Sequence, residues 1–500
     1  MFAQKEGNVW FFGGAPIGFA DTSHYKSCRF DFWDDSVHIQ FVPKVLPFTR
    51  SNSSICDMDG NFLCLSNGEN IYNWNYEVIE NGGDFYPNAD YFYGVPANQS
   101  FILLPSPGHE NQLIQFYGLP QVIDPPGPIT GALAYYPRYA IVDMEENNGY
   151  GKVISKNITF SDDTLEFFCS AIASRHGNGR DWWILAPHYL QNKFYRYLLE
   201  PNGFFKMGEQ AIAMKKAGGP QGVFAPDGRW YARFEWHGRL PDSTFSTIEL
   251  YPFDRCSGLL GDIQEKTYST NPLDGKPGGV AFSASSRYMY VSRWDTIYQY
   301  DMQAPDILGS EVVVAAFDGY WGDWGNGFTV PQRFYSLMLG PDRKIYCCVS
   351  NYNSKYLHVI NNPEAAGLAC DVQQHSIQLP VFNEFSIPNN PYYGLGRWVG
   401  SPCDTLDIVS AKEPPGAEQV FIYPNPAQDF VRIQLQNGDL QHCHIRILDV
   451  SGQLVREIKM ERAGPEYDID LSTFSNGVYF IEIRQKDTFF KPSKIVVMRP

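Results

Sequence analysis

The chain reads as all-β, a seven-bladed β-propeller followed by a small antiparallel β-sandwich, on three observations. Aromatic residues make up 15% of its 500 residues, and Gly and Pro number 44 and 35. Aromatic side chains suit half-buried pleated surfaces, while Gly and Pro suit tight turns. A strand–turn–strand unit recurs through most of the chain, and the C-terminal stretch then changes to short strands of strict polar–apolar alternation.

The repeat is clearest in three places. Gly222-Val-Phe-Ala-Pro-Asp-Gly, Gly279-Val-Ala-Phe-Ser-Ala-Ser and Ser336-Leu-Met-Leu-Gly-Pro-Asp begin 57 residues apart. Each is an apolar strand, a tight turn and a second strand, and a third strand follows at Ser246, Thr296 and Tyr356. Looser copies begin at Ile55, Ile102 and Ala171. A period of this length, made of short strands, predicts one propeller blade per unit. Six units are legible. A seventh can be closed from both ends, by Asn8-Val-Trp-Phe-Phe-Gly and Tyr393-Gly-Leu-Gly-Arg-Trp, which leaves no open sheet edge. Seven is the best count, with six and eight as alternatives.

The net charge of −16 argues against a nucleic-acid partner, which needs clustered Lys and Arg. No apolar run approaches the roughly 20 residues of a transmembrane helix. Residues 1–7 read as an N-terminal tail, with Met-Phe-Ala-Gln as the remnant of a signal peptide cut just after Ala3. The ten cysteines show no C-x-x-C and no zinc spacing. Cys370–Cys403 is the one disulfide we name from the sequence. No cofactor is expected. Asp57-Met-Asp59-Gly-Asn61 begins like a calcium loop but lacks the later ligands, so structural calcium is unsupported and a hairpin turn is the reading.

The repeats of residues 8–403 also resemble a known group. Asp59-Gly-Asn-Phe-Leu-Cys-Leu-Ser-Asn-Gly, Tyr139-Ala-Ile-Val-Asp-Met, His176-Gly-Asn-Gly-Arg-Asp-Trp-Trp, Tyr298-Gln-Tyr-Asp and Val359-Ile-Asn-Asn-Pro-Glu are similar to segments of secreted, gliding-motility-associated Bacteroidota propellers. The resemblance implies a fold and no agreed activity.

Residues 404–417 read as a linker, with Pro-Pro-Gly near its end, and residues 418–500 as the sandwich. Four landmarks there resemble the type A C-terminal sorting domain of the type IX secretion system. They are Tyr423-Pro424-Asn425-Pro426, Asp449-Val-Ser-Gly452, Gly477-Val-Tyr479 after Leu471-Ser-Thr-Phe-Ser-Asn, and Lys494-Ile-Val-Val. That resemblance implies periplasmic passage, recognition by the outer-membrane translocon and removal by a surface sorting protease near the linker. The final location implied is the outer cell surface or the medium.

Nucleophile elbows, zinc-protease helices and phosphate-binding loops are absent from the sequence. His176 and Asp181 fall at a first turn, where turn use is the better account. Strand alternation sends the loops between second and third strands, and those between blades, to one face. That rim carries His188, Tyr189, Trp236, His237, Arg239, Arg293, Trp294, Trp321, Trp324 and Tyr352. Aromatic and Arg side chains of this kind stack on sugars or anchor a protein partner, and they also pack between blades. The expected function is therefore a secreted binding or adhesion module for a glycan or protein ligand. A hydrolase or lyase acting on an extracellular glycan or lactone, and a structural component of a surface assembly, are the alternatives.

Overall fold

The computed structural model describes residues 5–14, 26–33, 36–47, 49–86, 94–123, 132–165, 171–188, 191–212, 221–237, 245–268, 277–325, 327–351, 353–404, 420–425, 427–435, 440–449, 453–460, 464, 466–485 and 488–499. The chain divides into two compact units, 1–405 and 406–500.

The first unit is a ring of seven sheets, antiparallel but for one short pairing in blade 2. Blade 1 holds Val9–Gly14, Lys26–Trp33 and Ser36–Val42. Blade 2 is built on Ser51–Cys56, Phe62–Ser66 and Ile71–Asn73. Four-stranded blades 3 to 7 begin at Phe101–Pro105, Ile172–Arg175, Gln221–Phe224, Gly278–Phe282 and Phe334–Leu339. The 57-residue repeat therefore falls on the first strands of blades 5, 6 and 7. A separate hairpin, Trp321–Gly325 paired with Phe328–Pro331, precedes blade 7.

Alternation along each strand sends large apolar residues to both sheet faces, and every neighbouring pair of blades is joined by them. Trp183 and Phe194 of blade 4 meet Phe224 and Tyr251 of blade 5. Phe234 and Ile248 meet Val280 and Met289 between blades 5 and 6, and Tyr290 meets Leu337 and Ile345 between blades 6 and 7. Trp10 and Phe30 of blade 1 pack on Tyr346 and Leu357 of blade 7. On its other side, Val9 and Phe11 pack on Cys56 and Leu65 of blade 2. One further cluster joins blades 2, 3 and 4.

Closure comes from both ends of the unit, though not through the segment the sequence suggests. Ile387–Pro388 pairs in parallel with Ser51 and Asn52 on the inner edge of blade 2. The strand Val9–Gly14 starts where Ser51–Cys56 ends, with Cys56 N–H donating to Glu6 O at 2.8 Å and Ser54 Oγ to Val9 O at 2.6 Å. Residues 393–398 form no strand. They belong to a strap that runs across the first-turn ends of blades 4 and 5: Trp398 N–H donates to Gly177 O at 2.8 Å and Arg255 Nη2 to Gly396 O at 2.6 Å.

That path corrects the expected disulfide. Cys403 is bonded to Cys256 of the blade 5 loop, 147 residues away, with Cα atoms 5.3 Å apart. Cys370 is a free thiol, buried between blades 6 and 7 in the turn before the outermost strand. The strap delivers Cys403 to the turns of blades 4 and 5, away from Cys370. Gly177 is required at the crossing, because a Cβ there would overlap Cys403 Sγ.

The second unit is a two-sheet sandwich. One sheet contains Val420–Tyr423, Phe430–Leu435 and Glu466–Asp470; the other contains Leu454–Lys459, Cys443–Asp449, Gly477–Gln485 and Thr488–Val497. The alternating residues Val431 and Ile433, Ile445 and Ile447, and Ile481 and Ile483 supply its core.

Candidate functional site

The first strands of blades 3 to 7, blade 1 and residues 388–394 surround an axial cavity of about 620 Å³. Its walls are Ile102, Ala173, Val223, Phe282 and Leu337 from the inner strands of blades 3 to 7, with Trp10 of blade 1. Pro226, Ala284 and Pro341, from the first turns of blades 5, 6 and 7, stand at its mouth beside Lys5 and Trp33. The strap residues Pro388–Gly394 bound the remaining side.

A polar floor crosses the axis at the other end. Gln221 Nε2 donates to Leu337 O at 2.5 Å, and its Oε1 accepts from Leu337 N–H at 3.0 Å and Val280 N–H at 3.2 Å. Gln99 Nε2 donates to Gly222 O at 2.9 Å. Asn389 Nδ2 donates to Phe101 O at 2.8 Å and Ala171 O at 3.0 Å. These amides saturate inner-edge backbone groups that would otherwise be buried without partners. The cavity is thus apolar-walled, closed at its base and open at the first-turn face, the form of a small-molecule site.

Its charged lining is Lys5, Asp342 and Arg343. Burial pushes the Asp342 carboxyl up, opposed by the Tyr346 hydroxyl, which donates to it at 2.8 Å. Behind the wall, Glu6 is 8% exposed and burial raises its carboxyl; in the lining, Tyr393 is held against Trp182 with ring centroids 6.0 Å apart.

None of the described candidate rim residues lines this cavity. His188 is buried, accepts Gln191 N–H on Nδ1 at 3.1 Å and packs on Tyr195. Arg293 Nε donates to Ser246 Oγ at 2.9 Å and its guanidinium lies 5.0 Å from the Tyr268 ring. Trp294, with φ of 51°, is covered by Arg333, which also pairs with Asp295 at 2.9 Å. Trp236 and Trp321 are exposed, 37% and 56%. Tyr189, Arg239 and Tyr352 lie outside the described residues, as do the side chains of His237 and Trp324. The structure therefore brings Trp294 and the Trp321 hairpin to one face, through Phe334 N–H donating to Trp294 O and Phe317 N–H to Asp295 O.

The turn readings hold in geometry. Asp57 Oδ1 accepts Asp59 N–H at 2.9 Å and Asn61 N–H at 2.8 Å, closing its hairpin. His176 Nε2 lies 3.1 Å from Cys256 O, and Asp181 accepts from Asn178 Nδ2 at 2.6 Å. The cavity residues went unnoticed in the sequence, although the repeat carries a signal for them. The residues after 222, 279 and 336 are the first strands of their blades, and first strands face the axis.

In the C-terminal unit the landmarks meet. Asn425 Oδ1 accepts Val496 N–H at 2.9 Å, and Ala427 N–H donates to Val496 O at 2.8 Å, so Tyr423-Pro424-Asn425 is tied to the last strand. Asp449 Oδ1 accepts Gln453 N–H at 3.0 Å. Tyr479, two residues into the strand from Gly477, donates its hydroxyl to Ser475 O at 3.0 Å. Pro426, Gly452 and the side chain of Lys494 lie outside the described residues. Residues 421–498 match the family model of a secretion system C-terminal sorting domain. The C-terminal unit is a type IX sorting domain. The sorting domain directs export to the cell surface or the extracellular space. Among the described residues no helix is long and apolar enough to cross a membrane.

Comparison with curated proteins returns no match. Solved structures similar to the chain include a provisionally assigned 6-phosphogluconolactonase from Bacteroides uniformis, 12% identical, TM-score 0.43, covering 76% of this chain and 98% of its own. A protein from Lactobacillus plantarum is 10% identical, TM-score 0.39, covering 75% and 98%. A puromycin hydrolase variant is 11% identical, TM-score 0.38, covering 75% and 53%. Likenesses this distant carry no argument about chemistry.

Proposed function

We propose that residues 8–403 form a secreted binding module that takes a small ligand into the axial cavity from the first-turn face. On this reading residues 404–417 are the linker at which a surface protease removes residues 418–500 after the translocon has exported the chain. The observation that supports it is the cavity itself, apolar-walled, floored by saturated amides and open at one end. Binding is favoured over hydrolysis by the state of Asp342, whose carboxylate is engaged by Tyr346 and by Lys344 N–H at 3.3 Å.

A thermal-shift screen of saccharides and small organic acids against the full chain and Ala284→Trp tests the reading. Ala284 stands half-buried on a turn at the mouth, so the indole obstructs entry with little effect on the sheets. A ligand stabilising the wild type and not the variant is the expected result; ligands that stabilise both equally overturn the cavity site. A second reading, binding at the rim, rests on the exposed Trp321 and Phe328 of the hairpin, 56% and 63% accessible. Trp321→Ala should then weaken the ligand about tenfold or more, the usual loss for an aromatic anchor.

A further inference from the structure

We infer, resting on the cavity reading above, that its ligand is a small organic anion carried on a flat apolar body. Lys5 and Arg343 both line the mouth, on opposite sides of blade 1, and both are exposed. Neither side chain forms an ion pair or hydrogen bond with a described residue. Between them blade 1 presents Trp33, 38% exposed, with Phe32 and Trp10 deeper in the wall. The neighbouring carboxylate of Asp342 is turned to Tyr346, 2.8 Å away.

In a chain of net charge −16, the described charged residues of this cavity are two cations, Lys5 and Arg343, and one carboxylate, Asp342. A ring entering between them would lie on the indole face of Trp33 and lose its water to the walls. An anionic group on that ring would be costly to desolvate unless a cation met it, and Lys5 and Arg343 stand where the ring's outer end would be. Neutral ligands gain only the apolar part of this arrangement.

Anilinonaphthalene sulfonate and its uncharged counterpart N-phenylnaphthylamine separate the two contributions. Fluorescence titration of the full chain should show one sulfonate dye bound per chain. The Lys5→Gln/Arg343→Gln double variant should weaken it about tenfold, the value of a charge-assisted contact, and leave the amine unchanged. Near-ultraviolet circular dichroism checks that the variant keeps its packing. Equal binding of the two dyes, unaffected by the charge substitutions, overturns the anion assignment while leaving the cavity in place. If Ala284→Trp leaves both dyes bound, the dyes are outside the cavity and the reading beneath the inference fails.

Discussion

Glu384 is 6% exposed beside the end of the blade 7 sheet, and burial pushes its carboxyl up to about 7, against the opposing pull of Arg50. In the unfolded chain it returns to the ordinary carboxylate range, so the folded protein binds the proton more tightly. The stability it contributes is complete below about pH 4.5 and is lost as pH rises through about 7. Glu384→Gln should therefore raise the melting temperature by a few degrees at pH 8 and leave it unchanged near pH 4, as calorimetry would show. Buried His358, held down to about 3 by burial, acts in the opposite direction as pH falls below its ordinary value. The difference between variant and wild type is thus the quantity to measure. At the same scale, non-reducing peptide mapping should recover Cys256 linked to Cys403, and a Cys370–Cys403 peptide would contradict the fold. This pairing was illegible in the sequence because nothing in residues 389–402 marks them as a strap; their course is fixed by contacts with blades 2 to 5.

Blades were the legible elements. The turns after each first strand, with the 57-residue spacing of the last three units, give six first strands in their right places, since turn chemistry and strand alternation are local properties. Closure was less so: Ile387–Pro388 is too short a pairing to show as a pattern, and the aromatic run 393–398 looked more like a strand. The candidate cavity was the least legible. Rim loops were conspicuous for their Trp and Arg content, but Arg293 and Trp294 are engaged by Ser246, Tyr268 and Arg333, while the cavity is assembled from one or two residues of each blade. The crowding of those inner strands has a testable cost. A Cβ on Gly279 would stand 2.7 Å from Ser336 Cα of the next blade and would overlap Gln221. Gly279→Ala should lose about 1–3 kcal/mol in denaturant unfolding, the range for overpacking. Gly396→Ala, with nothing within 4 Å, should lose far less.

For the whole molecule, the division at residue 405 and the sorting domain beyond it lead to one expectation. Deleting residues 418–500 should leave a folded propeller retained inside the outer membrane. Fractionation combined with protease accessibility on intact cells checks this, and normal surface exposure of the truncated chain would contradict it.

The link between Cys403 and Cys256 also decides where a mechanical load would travel. A pull applied beyond residue 405 meets the crosslink almost at once and passes through sulfur into the blade 5 loop, which is held by Arg255 and by Trp183 Nε1 donating to Arg255 O at 2.8 Å. Tension thus bypasses the short Ile387–Pro388 pairing on which ring closure depends. In single-molecule stretching, the oxidised chain should resist until a blade tears. The reduced chain should first peel back the strap between Pro388 and Cys403, freeing about 50 Å of contour at roughly 3.5 Å per residue, so that it lengthens by this less the distance the strap already spans. By this route a covalent bond between two loops turns an end that would open like a zip into one that must be broken like a hoop.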